Sequence, residues 1–204
     1  MLSREFLIEN INHIEKIADE IDEEDLPLLL EMLSSKTDLE RYSAFLALKF
    51  KSEKSDMLYS HWDSLVERMR DENSYQRSIG IMLISENVRW DKQEKFDDIV
   101  DEFLKHCEDR KFITSRQTVQ SIKSWYMFRP DLWDKVVSKL TNIDIDAMKD
   151  SQKKLMALDV LEVLCFINKL RPSSEISKYT SSVIKREYMD HKEVKTVKGW
   201  SSSV

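Results

Sequence analysis

"TDLERYSAFLAL", residues 37–48, and "NSYQRSIGIMLI", residues 73–84, are built alike. Each opens on a residue that caps helices well, Thr37 or Asn73. Each carries Glu or Gln three places later, Glu40 or Gln76, the spacing of a capping box. An arginine follows, then a small residue three places on, then an apolar run. Two further stretches fit the same template. Arg41, Arg77, Arg116 and Lys154 fall 36, 39 and 38 residues apart. In that register Ala44, Gly80, Val119 and Ala157 form a column of small or modest residues. Ala47, Leu83, Ile122 and Val160 form an apolar one. Thr37, Asn73, Phe112 and Asp150 form the start column, where Phe112 cannot cap and Thr114 with Gln117 is expected to serve instead. Gly80 costs roughly 1 kcal/mol of helix propensity against alanine. Close approach of a neighbouring helix is the expected compensation.

Each copy is preceded by an amphipathic stretch, near 25–33, 56–69, 92–107 and 131–140. Leu58, Trp62, Leu65 and Met69 make one face of the second, and Phe96, Ile99, Val100, Phe103 and Leu104 one face of the third. Pro27 and Pro130 stand near helix starts, where a missing N–H is harmless. The later helix of each pair is apolar over most of its circumference, as in "KKLMALDVLEVLCFI", residues 153–167, which places it in an interior layer. A helix pair recurring every 36–39 residues predicts an all-α protein, a right-handed α-solenoid of about four pairs. The pairs are expected at 25–52, 56–88, 92–128 and 131–168. Capping helices are expected at 3–20 and 174–189, and a polar tail at 191–204.

Composition agrees. The chain has 204 residues, enough for one full core. Two glycines and three prolines argue against a turn-rich β-protein and exclude a glycine-rich phosphate loop. No run approaches the ~18 apolar residues of a membrane span, and Arg4, Glu5 and Glu9 interrupt any signal-peptide core. Cys107 and Cys165 make no CxxC pair and read as reduced thiols in a cytoplasmic chain. Charge is uneven: residues 1–110 hold 15 Lys+Arg against 27 Asp+Glu, and residues 111–204 hold 17 against 11. An acidic chain does not wrap a duplex well along its whole length.

The arginine with a small residue three places on, the cap before it and the period near 38 resemble HEAT and armadillo-like repeats over about residues 25–168. "SRQTVQSIKSWYMFRPDLWDKVVSKL", residues 115–140, is similar to small bacterial HEAT-like proteins with no assigned activity. The chain departs from the HEAT pattern in having no regular acid before each arginine and little proline in its first helices. A more distant likeness is to HEAT-like DNA alkylation repair proteins. It implies base excision, with Arg116, Lys123, Trp125, Tyr126 and Asp159 as the residues that would be assembled for it.

In a curved solenoid the second helices commonly line the concave, binding surface. In register, its candidates are Tyr42, Lys49, Ser78, Met82, Gln117, Ser121, Ser124, Asp159 and Glu162. That mixed column suits a protein or peptide partner, with nucleic acid as the second possibility and no membrane. Arg41, Arg77, Arg116 and Lys154 read either as a cationic ladder for phosphates or as inter-repeat ion pairs. Asp38, Asp71, Glu72, Asp109 and Asp150 are the expected partners. His13, His61, His106 and His191 are scattered, and His106–Cys107 lacks the spaced ligands of a zinc site. Neither metal nor cofactor is expected, and no catalytic constellation emerges. The tail, with Lys192, Lys195, Lys198 and Trp200, reads as an untethered end. Its alternative is to fold back on the domain. Its Ser-Ser-Val ending superficially matches a C-terminal PDZ ligand.

Overall fold

A computed structural model describes residues 2–202, and every regular element among them is a helix. The chain divides into two compact units, 1–99 and 100–204.

The first unit begins with α1 (Arg4–Glu9) and α2 (Ile14–Glu20). A 3-10 turn at Ile11–His13 separates them, so the single end helix expected at 3–20 is broken. Then come α3 (Leu26–Met32) and α4 (Asp38–Ser52), and α5 (Trp62–Met69) and α6 (Ser74–Asn87). Pro27 sits in the first turn of α3. The start of α7 (Lys95–Lys105) completes this unit. Trp62, Leu65, Val66 and Met69 are the buried face of α5, which packs on α6. Trp62 meets Phe96 edge-on, ring centroids 6.4 Å apart. α6 is buried nearly all round, as its apolar wheel requires.

Gly80 lies where α5 and α6 cross. A Cβ there would stand 2.4 Å from the Met69 backbone nitrogen and 2.7 Å from the Leu65 carbonyl oxygen. The small column is therefore a packing column: Ala44, Val119 and Ala157 are fully buried.

The second unit holds the rest of α7, then α8 (Phe112–Trp125), α9 (Trp133–Thr141), α10 (Asp150–Leu170) and α11 (Ser174–Val183). Phe103 and Trp125 pack edge-on at 6.1 Å. α11 stops at Val183, short of the expected 189. Residues 191–202, expected as an untethered tail, form a further helix, α12 (His191–Ser202), lying on α10. Val197 is 1% exposed. The contact joins Lys154 to Glu193 (3.4 Å) near the starts of the helices and Cys165 to Ser201 (3.4 Å) near their ends. The two helices are therefore parallel. The last two residues of the Ser-Ser-Val ending lie outside the described residues.

Gly199 of α12 is unlike Gly80, since a Cβ there meets nothing within 4 Å. Gly199→Ala is expected to stabilise α12 by roughly 0.5–1 kcal/mol through propensity alone. Slower amide hydrogen exchange across residues 191–202 would register it.

Only part of the start column caps. The Asn73 side chain accepts from the Tyr75 N–H at 2.9 Å. Thr37 occupies its cap position without a side-chain bond. Phe112 and Asp150 are already helical, and Thr114 is buried inside α8. Neither expected capping box forms. Glu40 instead bonds Ser35 and Arg4, and Gln76 donates to the Leu33 carbonyl.

Candidate functional site

The second helices carry the candidate residues. In the first unit, α4 and α6 run parallel, joined at one end by Arg41 and Tyr75 and at the other by Ser52 and Asn87. Arg41 is fully engaged: it pairs with Asp38, donates to the Ser35 carbonyl at 2.7 Å and lies over the Tyr75 ring at 5.0 Å. Arg77 is 5% exposed and donates to the carbonyls of Asp71 and Glu72 at 2.9 and 2.7 Å. Lys49 lies 3.1 Å from Glu53 and 3.9 Å from Glu86. Tyr42 is exposed, and its ring stacks on Phe45 at 6.4 Å. Met82 is half-buried. Ser78 is buried and adds nothing to the surface.

In the second unit, α8, α10 and α12 stand side by side. Arg116 binds Asp159 through two bonds, 2.5 and 3.1 Å, and Gln120 adds a third at 2.8 Å. Asp159 is 6% exposed. The hydrogen bond to its carboxylate raises the pKa of Arg116, outweighing the opposing effect of burial, so the guanidinium stays charged. Lys123 pairs with Glu162 at 2.6 Å. Lys154 pairs with Asp190 and Glu193 of the last segment, at 3.6 and 3.4 Å. Gln117, Ser124 and Glu162 are half-buried, whereas Ser121 is buried and bonded to the Gln117 carbonyl.

Of the expected acid partners, Asp38 serves Arg41. Arg116 takes Asp159 instead of Asp109, and Lys154 takes Asp190 and Glu193 instead of Asp150. Asp150 holds Lys153 at 2.8 Å. The true partner of Arg116 lies 43 residues along the chain.

The residues assembled for base excision do not converge on an open site. Trp125 is fully buried. Asp159 already accepts three hydrogen bonds, and Lys123 is bound to Glu162. Tyr126 is half-buried, and the loss of solvent around its hydroxyl raises its pKa. Cys107 is buried, and desolvation pushes its thiol up to about 12, far from a reactive thiolate. His106 bonds Asp109 at 3.2 Å. Among the described residues no group of three or more His, Cys, Asp or Glu is placed to hold a metal ion. Nor is any helix there long and apolar enough to cross a membrane.

The register missed two surface residues. Leu39 and Tyr75 are 45% and 63% exposed, beside Tyr42 at 53%. Each falls two places before the arginine, in the first turn of its helix. A readable signal was present: both sit in the first turn, ahead of the buried residues that start at Ser43 in α4 and Arg77 in α6. Comparison of the chain with family models, curated proteins and solved structures finds no match.

Proposed function

We propose that the chain is a non-enzymatic, cytoplasmic protein-interaction module. In this reading it is a right-handed α-solenoid of HEAT or armadillo type whose second helices hold a peptide or a segment of another protein. The side-chain bonds between successive pairs support the stacking. In the first unit Arg68 reaches the Leu30 carbonyl, 38 residues away, and Asn87 reaches Ser52, 35 away. In the second, Lys135 reaches Asp101 (34), Arg171 reaches Asp134 (37) and Lys123 reaches Glu162 (39). Near-constant separations of this kind fit stacked repeats. α12 keeps a similar offset from α10, Cys165 reaching Ser201 36 residues away.

One observation carries the choice of partner. The ladder cations are already committed within the chain, while Leu39, Tyr42 and Tyr75 stand exposed among them. A phosphate ladder needs cations with unspent charge. Exposed tyrosines around a held arginine have instead the composition of a protein-binding hot spot.

The test compares capture from cell extract by the intact protein and by a Tyr42→Glu, Tyr75→Glu variant. A captured protein is then purified and titrated. Its affinity should fall by about tenfold or more in the variant, as for loss of a hot-spot anchor. A parallel titration with duplex DNA at low salt should show no saturable binding. Unchanged affinity in the variant, or tight salt-sensitive DNA binding, would overturn the proposal.

A further inference from the structure

A second surface lies at the amino-terminal end of the first unit. A cavity of about 670 Å³ opens there between α1, the end of α2 and the turn that follows. Its apolar wall is Leu2, Phe6 and Ile17. Its other wall is Glu20, Asp22, Glu24 and Asp25. Phe6 is 45% exposed and faces this space, although the neighbouring Leu7 is fully buried. Folding has left a large aromatic uncovered at the wall of a pocket of ligand-binding size.

The carboxylates differ in their engagement. Asp25 accepts from the backbone N–H groups of Leu2 (3.3 Å) and Asp22 (3.2 Å), and Asp22 accepts from that of Glu24 (3.0 Å). These two shape the turn. Glu20 and Glu24 are exposed at the mouth. The neighbouring cations are held by other acids, Lys54 by Asp19 at 2.6 Å and Arg4 by Glu31 and Glu40. The wider field has the same sign: residues 1–99 hold 13 Lys+Arg and 23 Asp+Glu, a net of −10. The contrast is a smaller cleft of about 320 Å³ in the second unit, lined by Asp101, Lys135 and Lys139 among others. There Lys135 is bound to Asp101 and Lys139 to Glu108.

We infer that this amino-terminal pocket docks a basic segment of another polypeptide, one bulky apolar side chain lying against Phe6 and flanking lysines or arginines meeting Glu20 and Glu24. The apolar wall gives the anchor a dry seat. The carboxylates steer and orient the cations, so binding weakens with salt. A bare metal ion does not fit, because no metal-holding group of side chains occurs among the described residues.

The test is calorimetric titration of the full chain with three blocked pentapeptides: Lys-Lys-Phe-Lys-Lys, Lys-Lys-Ser-Lys-Lys and Glu-Glu-Phe-Glu-Glu. The first should bind saturably and the other two at least about tenfold more weakly, as expected when a central anchor or its charge complement is lost. Phe6→Ala should reduce binding of the first by a similar factor while the circular dichroism stays unchanged, Phe6 being half-exposed. Glu20→Gln with Glu24→Gln should weaken it and flatten its salt dependence. Equal binding of the serine peptide, or indifference to Phe6→Ala, would reduce the pocket to a patch of negative charge and overturn the inference. So would absence of binding, or preference for the glutamate peptide. Sedimentation of the free chain covers the remaining occupant: self-association abolished by Phe6→Ala would seat a second copy there and overturn it equally.

Discussion

Gly80→Ala is expected to destabilise the protein by about 2–3 kcal/mol, the upper part of the range for overpacking. Propensity alone gives the opposite sign, a gain of roughly 1 kcal/mol for alanine over glycine inside a helix. The packing decides it. A methyl at position 80 would meet the Met69 nitrogen at 2.4 Å, the Leu65 oxygen at 2.7 Å and the Arg68 carbonyl carbon at 2.9 Å. All three are backbone atoms of one helix segment, so no rotamer change relieves them. α5 has to move off α6, taking Trp62, Leu65 and Met69 out of contact. Urea denaturation followed by tryptophan fluorescence should show a lower midpoint at unchanged slope. A variant as stable as wild type, or more stable, would mean that the helices are not in the close contact described. Gly199→Ala supplies the matched control, with the sign reversed.

Asp159→Ala is expected to cost about 2–3 kcal/mol. Removing one partner of a buried pair typically costs about 3–5 kcal/mol, because the other charge is left uncompensated. Arg116 retains some contact with water, its side chain being 23% exposed, and this lowers the figure. Gln120 also loses an acceptor. Replacing both members, Arg116→Met with Asp159→Leu, should recover at least half of the loss, since neither charge then remains buried. Denaturant midpoints of Asp159→Ala, of the singles Arg116→Met and Asp159→Leu, and of the double variant check this. If the double variant were as unstable as the sum of the singles, Arg116 and Asp159 would not be acting as a pair. A fully stable Asp159→Ala would restore interest in that carboxylate as a group held ready for chemistry.

The helix pairs were legible because burial writes itself into periodicity. Leu58, Trp62, Leu65 and Met69 recur at helical spacing and line the inner side of the α5 region. Gly80 was legible for a related reason: a costly residue in a good helix asks for a neighbour. The pairing of Arg116 was not. Asp109 is closer in sequence, but it is used by His106 and by the Lys111 N–H. The reach to Asp159 depends on how far parallel helices are staggered, which no local pattern states. α12 was missed because Val194, Val197 and Trp200 are few apolar residues for a periodic signal among three lysines and small polar side chains. The pocket at Phe6 was missed for the opposite reason. An aromatic beside Leu7 looks like core, yet Phe6 is 45% exposed where Leu7 is fully buried.

The seating of α12 on α10 sets the surroundings of one of the two thiols. There Val197 is buried, Lys154 pairs with Asp190 and Glu193, and Cys165 meets Ser201 at 3.4 Å. Cys165 is 3% exposed beneath this contact, whereas Cys107 is buried beside α8, its carbonyl accepting from Ser115. The two thiols therefore stand in different surroundings, one under α12 and one beside α8.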